Sequence, residues 1–231
     1  MSQNDPVKYQ AALAAVSLVR DGMIVGLGTG STAAIAIELL GRRVVEQGLQ
    51  IVGVPTSDES ARAARNLGIR LTELNACVSI DLTIDGADQV DSQFRMIKGR
   101  GGALLREKLV AAASRRRIYI VGPEKRVDVL GRGCPVPVEA AAFDITHTAE
   151  RLRNLGAKPR LRLGSDGNPV FSDGGNALID CDFGELSDPE ALDRGLQTTL
   201  GVFETGLFLE FCDTLIVGSA TGAEVLERPS R

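Results

Sequence analysis

The chain has 231 residues, 44% of them hydrophobic and 24% charged, and carries a formal net charge of -4. That length permits one large domain or two smaller ones with a real core, and the composition is that of an ordinary globular protein. An acidic chain is not built to neutralise a phosphate backbone, so no nucleic-acid partner is expected.

The opening "MSQNDPVKYQAALAAVSLVRDG" has neither a basic start nor a continuous apolar core. It is expected to be no signal peptide but a helix, with Val7, Ala11, Ala14 or Ala15, and Leu18 along one side. "MIVGLG" is strand-like, and "STAAIAIELLGRRVVEQG" is a helix that a glycine ends. "LQIVGVP" is the next strand, and "SDESARAARNLG" a helix capped by Ser57 or Asp58. "SIDLTIDG", "GGALLREKLVAAAS" and "RRIYIVG" continue as strand, helix and strand. The basic run Arg115–Arg117 reads as complementing a helix dipole. This rhythm with apolar strands predicts a parallel sheet in an α/β, Rossmann-like domain.

After the Gly/Pro-rich "GRGCPVPVEA" the rhythm changes. A strand, the helix "THTAERLRNLG", the strands "KPRLRL" and "NALIDCDF" around the turn "GSDGNP", the helix "DPEALDRGLQTTL" and the strand "GVFET" follow. The order β-α-β-β-α-β predicts a smaller α+β domain of split-βαβ, ferredoxin-like type. The apolar "DTLIVGSA" is expected to return to the first sheet. The expected division is 1–130 plus 206–231 for the larger domain and 131–205 for the smaller. No apolar run is long enough to span a bilayer, so no membrane partner is expected. Four scattered cysteines form no metal or disulfide pattern and fit a reducing, cytoplasmic setting.

Two stretches carry chemistry. "VGLGTGSTAA" links a strand to a helix. Its glycines allow close backbone approach, and helix-start N–H groups with the hydroxyls of Thr29, Ser31 and Thr32 suit an anion. It lacks the lysine of a Walker loop, and no acid stands where a dinucleotide site needs one for the ribose. A small phosphorylated ligand is expected, without a nucleotide.

In "TIDGADQVD" Asp85 and Asp88 end a strand, where open α/β sheets bind ligands. Asp85, Asp88 and Asp91 lack the spacing of a calcium loop, so no metal is expected. Lys98 precedes the glycine turn Gly99, Arg100, Gly101. Glu107 shares an apolar helical stripe with Ala103, Val110, Ala111 and Ser114. Burial raises a carboxyl pKa and makes a better base. A phosphate cradle, a carboxylate base, a cation and two further acids suit proton abstraction beside a sugar carbonyl.

"GLGTGSTAA", "PTSDESARAARNLGI", "TIDGADQVD", "MIKGRGGALLREK", "VGPEKRVDVLG", "PVPVE" and "GVFETGLF" occur in the order seen in type A ribose-5-phosphate isomerase, and the chain resembles that family over nearly its whole length. The resemblance implies interconversion of D-ribose 5-phosphate and D-ribulose 5-phosphate in the pentose phosphate pathway, with no metal or other cofactor. It also implies a homodimer or homotetramer with oligomer contacts through the smaller domain. It places substrate contacts at Thr29, Gly30, Ser31 and Thr32, at Asp85, Gly86, Ala87 and Asp88, at Lys98, Gly99, Arg100 and Gly101, and at Lys125. Glu107 is the implied base, with Lys98, Asp85 and Asp88 as the other catalytic groups. Some relatives carry glycine where Arg100 stands.

Two alternatives stay open. A sugar-phosphate deaminase-isomerase shares the sheet architecture but leans on a histidine, and His147, the one histidine, reads as a helix-start residue. A non-catalytic sugar-phosphate sensor would need a DNA-binding module for which the chain has no spare segment.

Overall fold

The computed structural model describes residues 5–229, so Met1–Asn4 of the opening motif and Ser230–Arg231 of the closing one lie outside it. The chain divides into two compact units. The first comprises the described residues of Met1–Ala87, Arg106–Arg126 and Phe211–Arg231, and the second Asp88–Leu105 and Val127–Glu210.

The first unit is built on strands β1 (Ile24–Leu27), β2 (Val52–Pro55), β3 (Arg70–Leu71), β4 (Leu82–Asp85), β7 (Arg117–Val121), β13 (Thr214–Gly218) and β14 (Ala223–Glu227). They form one sheet in the order β14-β13-β7-β4-β1-β2-β3, parallel throughout except for the hairpin partner β14. The segment expected to return does so as β13, beside β7. The chain runs from β1 to β2 in one direction and places β4 on its other flank, so the sheet reverses its winding between β1 and β4. Ligands of open α/β sheets bind beyond the strand ends at such a reversal.

Local chemistry sets the helices. Helix α1 (Pro6–Val16) starts with proline after Asp5, whose carboxylate accepts the Lys8 N–H. Its Ala11, Ala12 and Ala15 are fully buried. Gly218 lets α1 lie close on β13, because a Cβ there would fall 1.9 Å from the Val7 carbonyl oxygen. Helix α2 (Ser31–Gln47) stops where Gly48 turns left-handed. Helix α3 (Asp58–Asn66) is capped by Ser57 rather than Asp58: the Ser57 hydroxyl accepts the Ser60 N–H. Helix α4 (Leu104–Ala112) carries Glu107 in its first turn.

The second unit holds the expected β-α-β-β-α-β series: β8 (Val136–Ala140), α5 (Ile145–Asn154), β9 (Lys158–Leu161), β10 (Ala177–Asp182), α6 (Pro189–Gln197) and β11 (Val202–Thr205). The sheet order β11-β8-β10-β9, antiparallel at every pairing, is the ferredoxin-like one. Val138, Ile179, Leu152 and Leu196 pack in its core.

A further three-stranded sheet, β12-β6-β5, joins β5 (Gln89–Val90), β6 (Met96–Ile97) and β12 (Leu207–Phe208). It explains why the units divide differently from the expected 1–130 plus 206–231 and 131–205. Pairing of Ile97 with Leu207 and the bond from the Lys98 N–H to the Gly206 carbonyl (2.9 Å) tie 88–105 to the second unit.

Candidate active site

Each unit presents one group of the residues singled out in the sequence. In the first, the loop after β1 is fixed from below by side chains. The Thr29 hydroxyl donates to Ser57 Oγ (2.9 Å), the Ser57 hydroxyl to Ser60 Oγ (2.9 Å), and the Ser60 hydroxyl to the Gly28 carbonyl (2.6 Å). Thr56 Oγ1 lies 2.7 Å from Thr29 Oγ1 and donates to the Leu27 carbonyl at 3.0 Å. The Thr29 hydroxyl is therefore spent on the loop's own framework, whereas Ser31 is exposed and Thr32 half-buried at the start of α2. Gly30, the residue before that helix, has φ 105°, a backbone state that glycine adopts without strain. The N–H groups at the head of a long helix then favour an anion.

Asp85 ends β4, is 1% exposed, and faces this loop. Its Oδ1 accepts the N–H of Thr29 (3.1 Å) and of Gly86 (2.7 Å). Gly28 is needed beside it, since a Cβ there would lie 2.2 Å from Asp85 Oδ1. On the neighbouring strand Asp85 is in register with Tyr119. Burial pushes the Tyr119 phenol well above its ordinary pKa, and the nearby acids Asp85, Cys212 and Glu107 push it further. The phenol stays protonated beside them.

Glu107 is 3% exposed. The stripe it shares is buried at Ala103, Val110 and Ala111. The guanidinium of its neighbour Arg106 donates to Asp58 at 2.8 Å. Lys125 is half-buried at the end of the short turn Pro123–Lys125 that follows β7. Gly86 and Ala87 are half-buried beyond β4.

The second unit carries Asp88 and the glycine turn. Lys98 is 2% exposed, with Nζ 5.4 Å from the centre of the Phe208 ring, a cation over an aromatic face. The turn closes with the Gly102 N–H donating to the Gly99 carbonyl (3.0 Å), and Gly99 has φ 99°. Asp88 Oδ2 accepts the Arg100 N–H at 3.0 Å, so this acid shapes the turn as well as standing beside it. Arg100 and Gly101 are exposed.

Thr56, Ser60, Tyr119 and Phe208 did not stand out in the sequence. "PTSDES" carries the first two, and only its place after a strand hinted at them. His147 is exposed at the head of α5, its Nδ1 2.6 Å from the capping Asp144. That contact with His147, ahead of a weaker one with Arg151, holds the Asp144 carboxyl below its usual range. Among the described residues, no three His, Cys, Asp or Glu side chains are grouped so that they could hold a metal ion. No helix of the described residues is long and apolar enough to cross a membrane.

The family model for ribose 5-phosphate isomerase A (phosphoriboisomerase A) matches residues 52–222. A curated protein called ribose-5-phosphate isomerase A from Thermomicrobium roseum is 48% identical over 222 residues, 96% of this chain and 93% of that protein. The solved ribose 5-phosphate isomerase A of Methanocaldococcus jannaschii superposes with a TM-score of 0.91 at 36% identity, covering 95% of this chain and 97% of that one. A solved D-ribose-5-phosphate isomerase in complex with phospho-erythronic acid matches at a TM-score of 0.91 and 38% identity, over 96% and 97% of the two chains. Sequence and backbone thus agree over nearly the whole length, and the chain belongs to the ribose 5-phosphate isomerase A family.

Proposed function

We propose that the chain interconverts D-ribose 5-phosphate and D-ribulose 5-phosphate through a cis-enediolate, with Glu107 as the base. Asp85 or Asp88 assists opening of the ribose ring and exposes the C1 aldehyde. Glu107 removes the proton from C2, and the electron pair moves into the C1–C2 bond as negative charge develops on O1, beside the Lys98 ammonium. Glu107 returns the proton to C1. One of the aspartates carries the O2 proton to O1, which leaves a ketone at C2. The start of α2 from Gly30 to Thr32 and the turn Lys98–Gly101 bind the substrate, with Lys125, Gly86, Ala87 and Asp88 completing its surroundings. Carboxylate base plus electrophile is also the logic of triosephosphate isomerase.

The observation that carries the reading is the burial of Glu107, 3% exposed on the first turn of α4, in the unit that also holds Asp85 and the loop after β1. A carboxylate kept from water is suited to moving a proton on carbon. The phospho-erythronic acid held by a solved relative is a short phosphorylated sugar acid, and it supports a five-carbon sugar phosphate as ligand here. The proposal includes a cytoplasmic homodimer or homotetramer. The exposed Phe143, Leu200 and Phe203 of the second unit support association through that unit.

Ribulose 5-phosphate formation from ribose 5-phosphate, assayed with a chelator present, tests the reaction. Glu107→Gln is expected to lower kcat by about 10²–10⁴ with KM little changed. A variant within about threefold of the parent kcat removes Glu107 from the mechanism.

A further inference from the structure

Arg162 follows β9, and its backbone is fixed from two sides. Its N–H donates to the Leu178 carbonyl (2.8 Å), and its carbonyl accepts the Val170 N–H (2.9 Å). The guanidinium is held by Asp180 of β10: Nε donates to Oδ2 at 2.9 Å and Nη2 to Oδ1. Such a fork fixes both the position and the plane of the group. The remaining nitrogen, Nη1, points at the glycine turn. It donates to the carbonyls of Gly99 and Arg100, each at 3.0 Å. The Arg162 side chain is 15% exposed, so these bonds are partly shielded from water.

Those two carbonyls decide which way the turn faces. In a trans peptide the C=O and the following N–H point in opposite directions. With the Gly99 and Arg100 carbonyls on Arg162, the N–H groups of Arg100 and Gly101 are directed to the other side. Asp88 takes the first of them at 3.0 Å, so the second lies on the Asp88 side of the turn. Glycines surround these peptides, and glycine lets a peptide plane rotate at little steric cost. A single cation beneath the carbonyls removes that freedom.

We infer that Arg162, oriented by Asp180, is a positioning residue that locks the Lys98–Gly102 turn with its N–H groups toward the substrate. The inference rests on the proposed reading of Lys98–Gly101 as a substrate contact. Lys98 has independent anchors in the Gly206 carbonyl and the Phe208 ring, so its ammonium keeps its place without Arg162. Binding should therefore suffer more than the chemical step.

The experiment compares Arg162→Met, Arg162→Lys, Asp180→Asn and Lys98→Met in the full chain, with kcat, KM and melting temperature measured for each. Arg162→Met is expected to raise KM about tenfold and to change kcat less than about threefold, the size of one lost hydrogen-bonding charge. Asp180→Asn keeps the shape but loosens the fork, and should raise KM about threefold. Arg162→Lys should recover part of the loss. A KM equal to the parent's in Arg162→Met overturns the inference. So does a loss of activity in all three variants that follows the loss of folded protein alone. If Lys98→Met is inactive while Arg162→Met has parental constants, only the role of Arg162 falls. If Lys98→Met is fully active, the reading of the turn falls and takes the inference with it.

Discussion

The two glycine turns proposed as substrate contacts each give an N–H to a carboxylate, and they differ in the donors that hold their carbonyls. In the loop after β1 the Asp85 carboxylate takes the Thr29 N–H, and neutral hydroxyls donate to the Gly28 and Leu27 carbonyls. In the Lys98–Gly102 turn Asp88 takes the Arg100 N–H, and a charged donor, the Arg162 guanidinium, holds the Gly99 and Arg100 carbonyls. Asp85 takes the Thr29 N–H and leaves the later ones, at the head of α2, for a ligand. A guanidinium uses up carbonyls and turns the N–H groups outward. On the proposed reading, each device leaves backbone donors for an anionic ligand.

Substitution of the cation on the second turn should separate the two most sharply. Lys98→Met keeps the apolar stem over Phe208 and removes the charge. Loss of one oxyanion-stabilising group is expected to lower kcat about 10²–10³-fold, measured by ribulose 5-phosphate formation. A fall of less than about tenfold would mean that Lys98 chiefly fills space over the ring.

The first turn should break through geometry. In Gly28→Ala the new Cβ meets Asp85 Oδ1 at 2.2 Å and its Cα at 2.6 Å, so backbone must move. The Thr29 N–H would leave the carboxylate, and the head of α2 would shift with it. The expected result is a roughly hundredfold loss in kcat/KM and about 1–3 kcal/mol of stability, read by kinetics and denaturant titration. Unchanged kinetics would show that the loop tolerates displacement and that its fit to Asp85 has no catalytic consequence.

Much of this arrangement was legible in the residues. The apolar runs of β1, β2, β4, β7 and β13 and the glycine after α2 announced a parallel sheet, and the turn residues around "GSDGNP" announced the ferredoxin-like series. Glu107 stood out because a carboxylate in an apolar stripe has no cheap explanation. The sheet of β5, β6 and β12 did not show, because strands of two residues carry no period to read. The same blind spot moved the unit boundary, since Lys98 and its turn hang on that sheet. Arg162, just past the edge strand β9, and Asp180, on the inner strand β10, sit among apolar residues as solvent-facing charges do, and only the fold brings their fork beneath the turn.

The first unit contains the same fork in a structural setting, and it supplies the smallest and cleanest test. Arg117 opens β7 and Asp213 precedes β13. Asp213 Oδ2 accepts the Arg117 backbone N–H and Nε, both at 2.8 Å, and Oδ1 accepts Nη2 at 2.6 Å. Burial alone would raise the Asp213 carboxyl pKa, but the bonds and charge of Arg117 outweigh it and hold the group below its usual range. A carboxyl lowered in the folded state stabilises that state above the unfolded pKa of about 3.9, and the contribution is lost as pH falls through the folded value. Asp213→Asn should therefore cost about 1 kcal/mol at pH 7, discounted because the pair is partly exposed. The gap to the parent should close toward pH 3, and KM should stay where it is. A gap as wide at pH 3 as at pH 7 would show that ionisation of Asp213 is not what ties β7 to β13. A raised KM would erase the distinction between this fork and the one at Arg162, whose work is to aim a turn and not to join two strands.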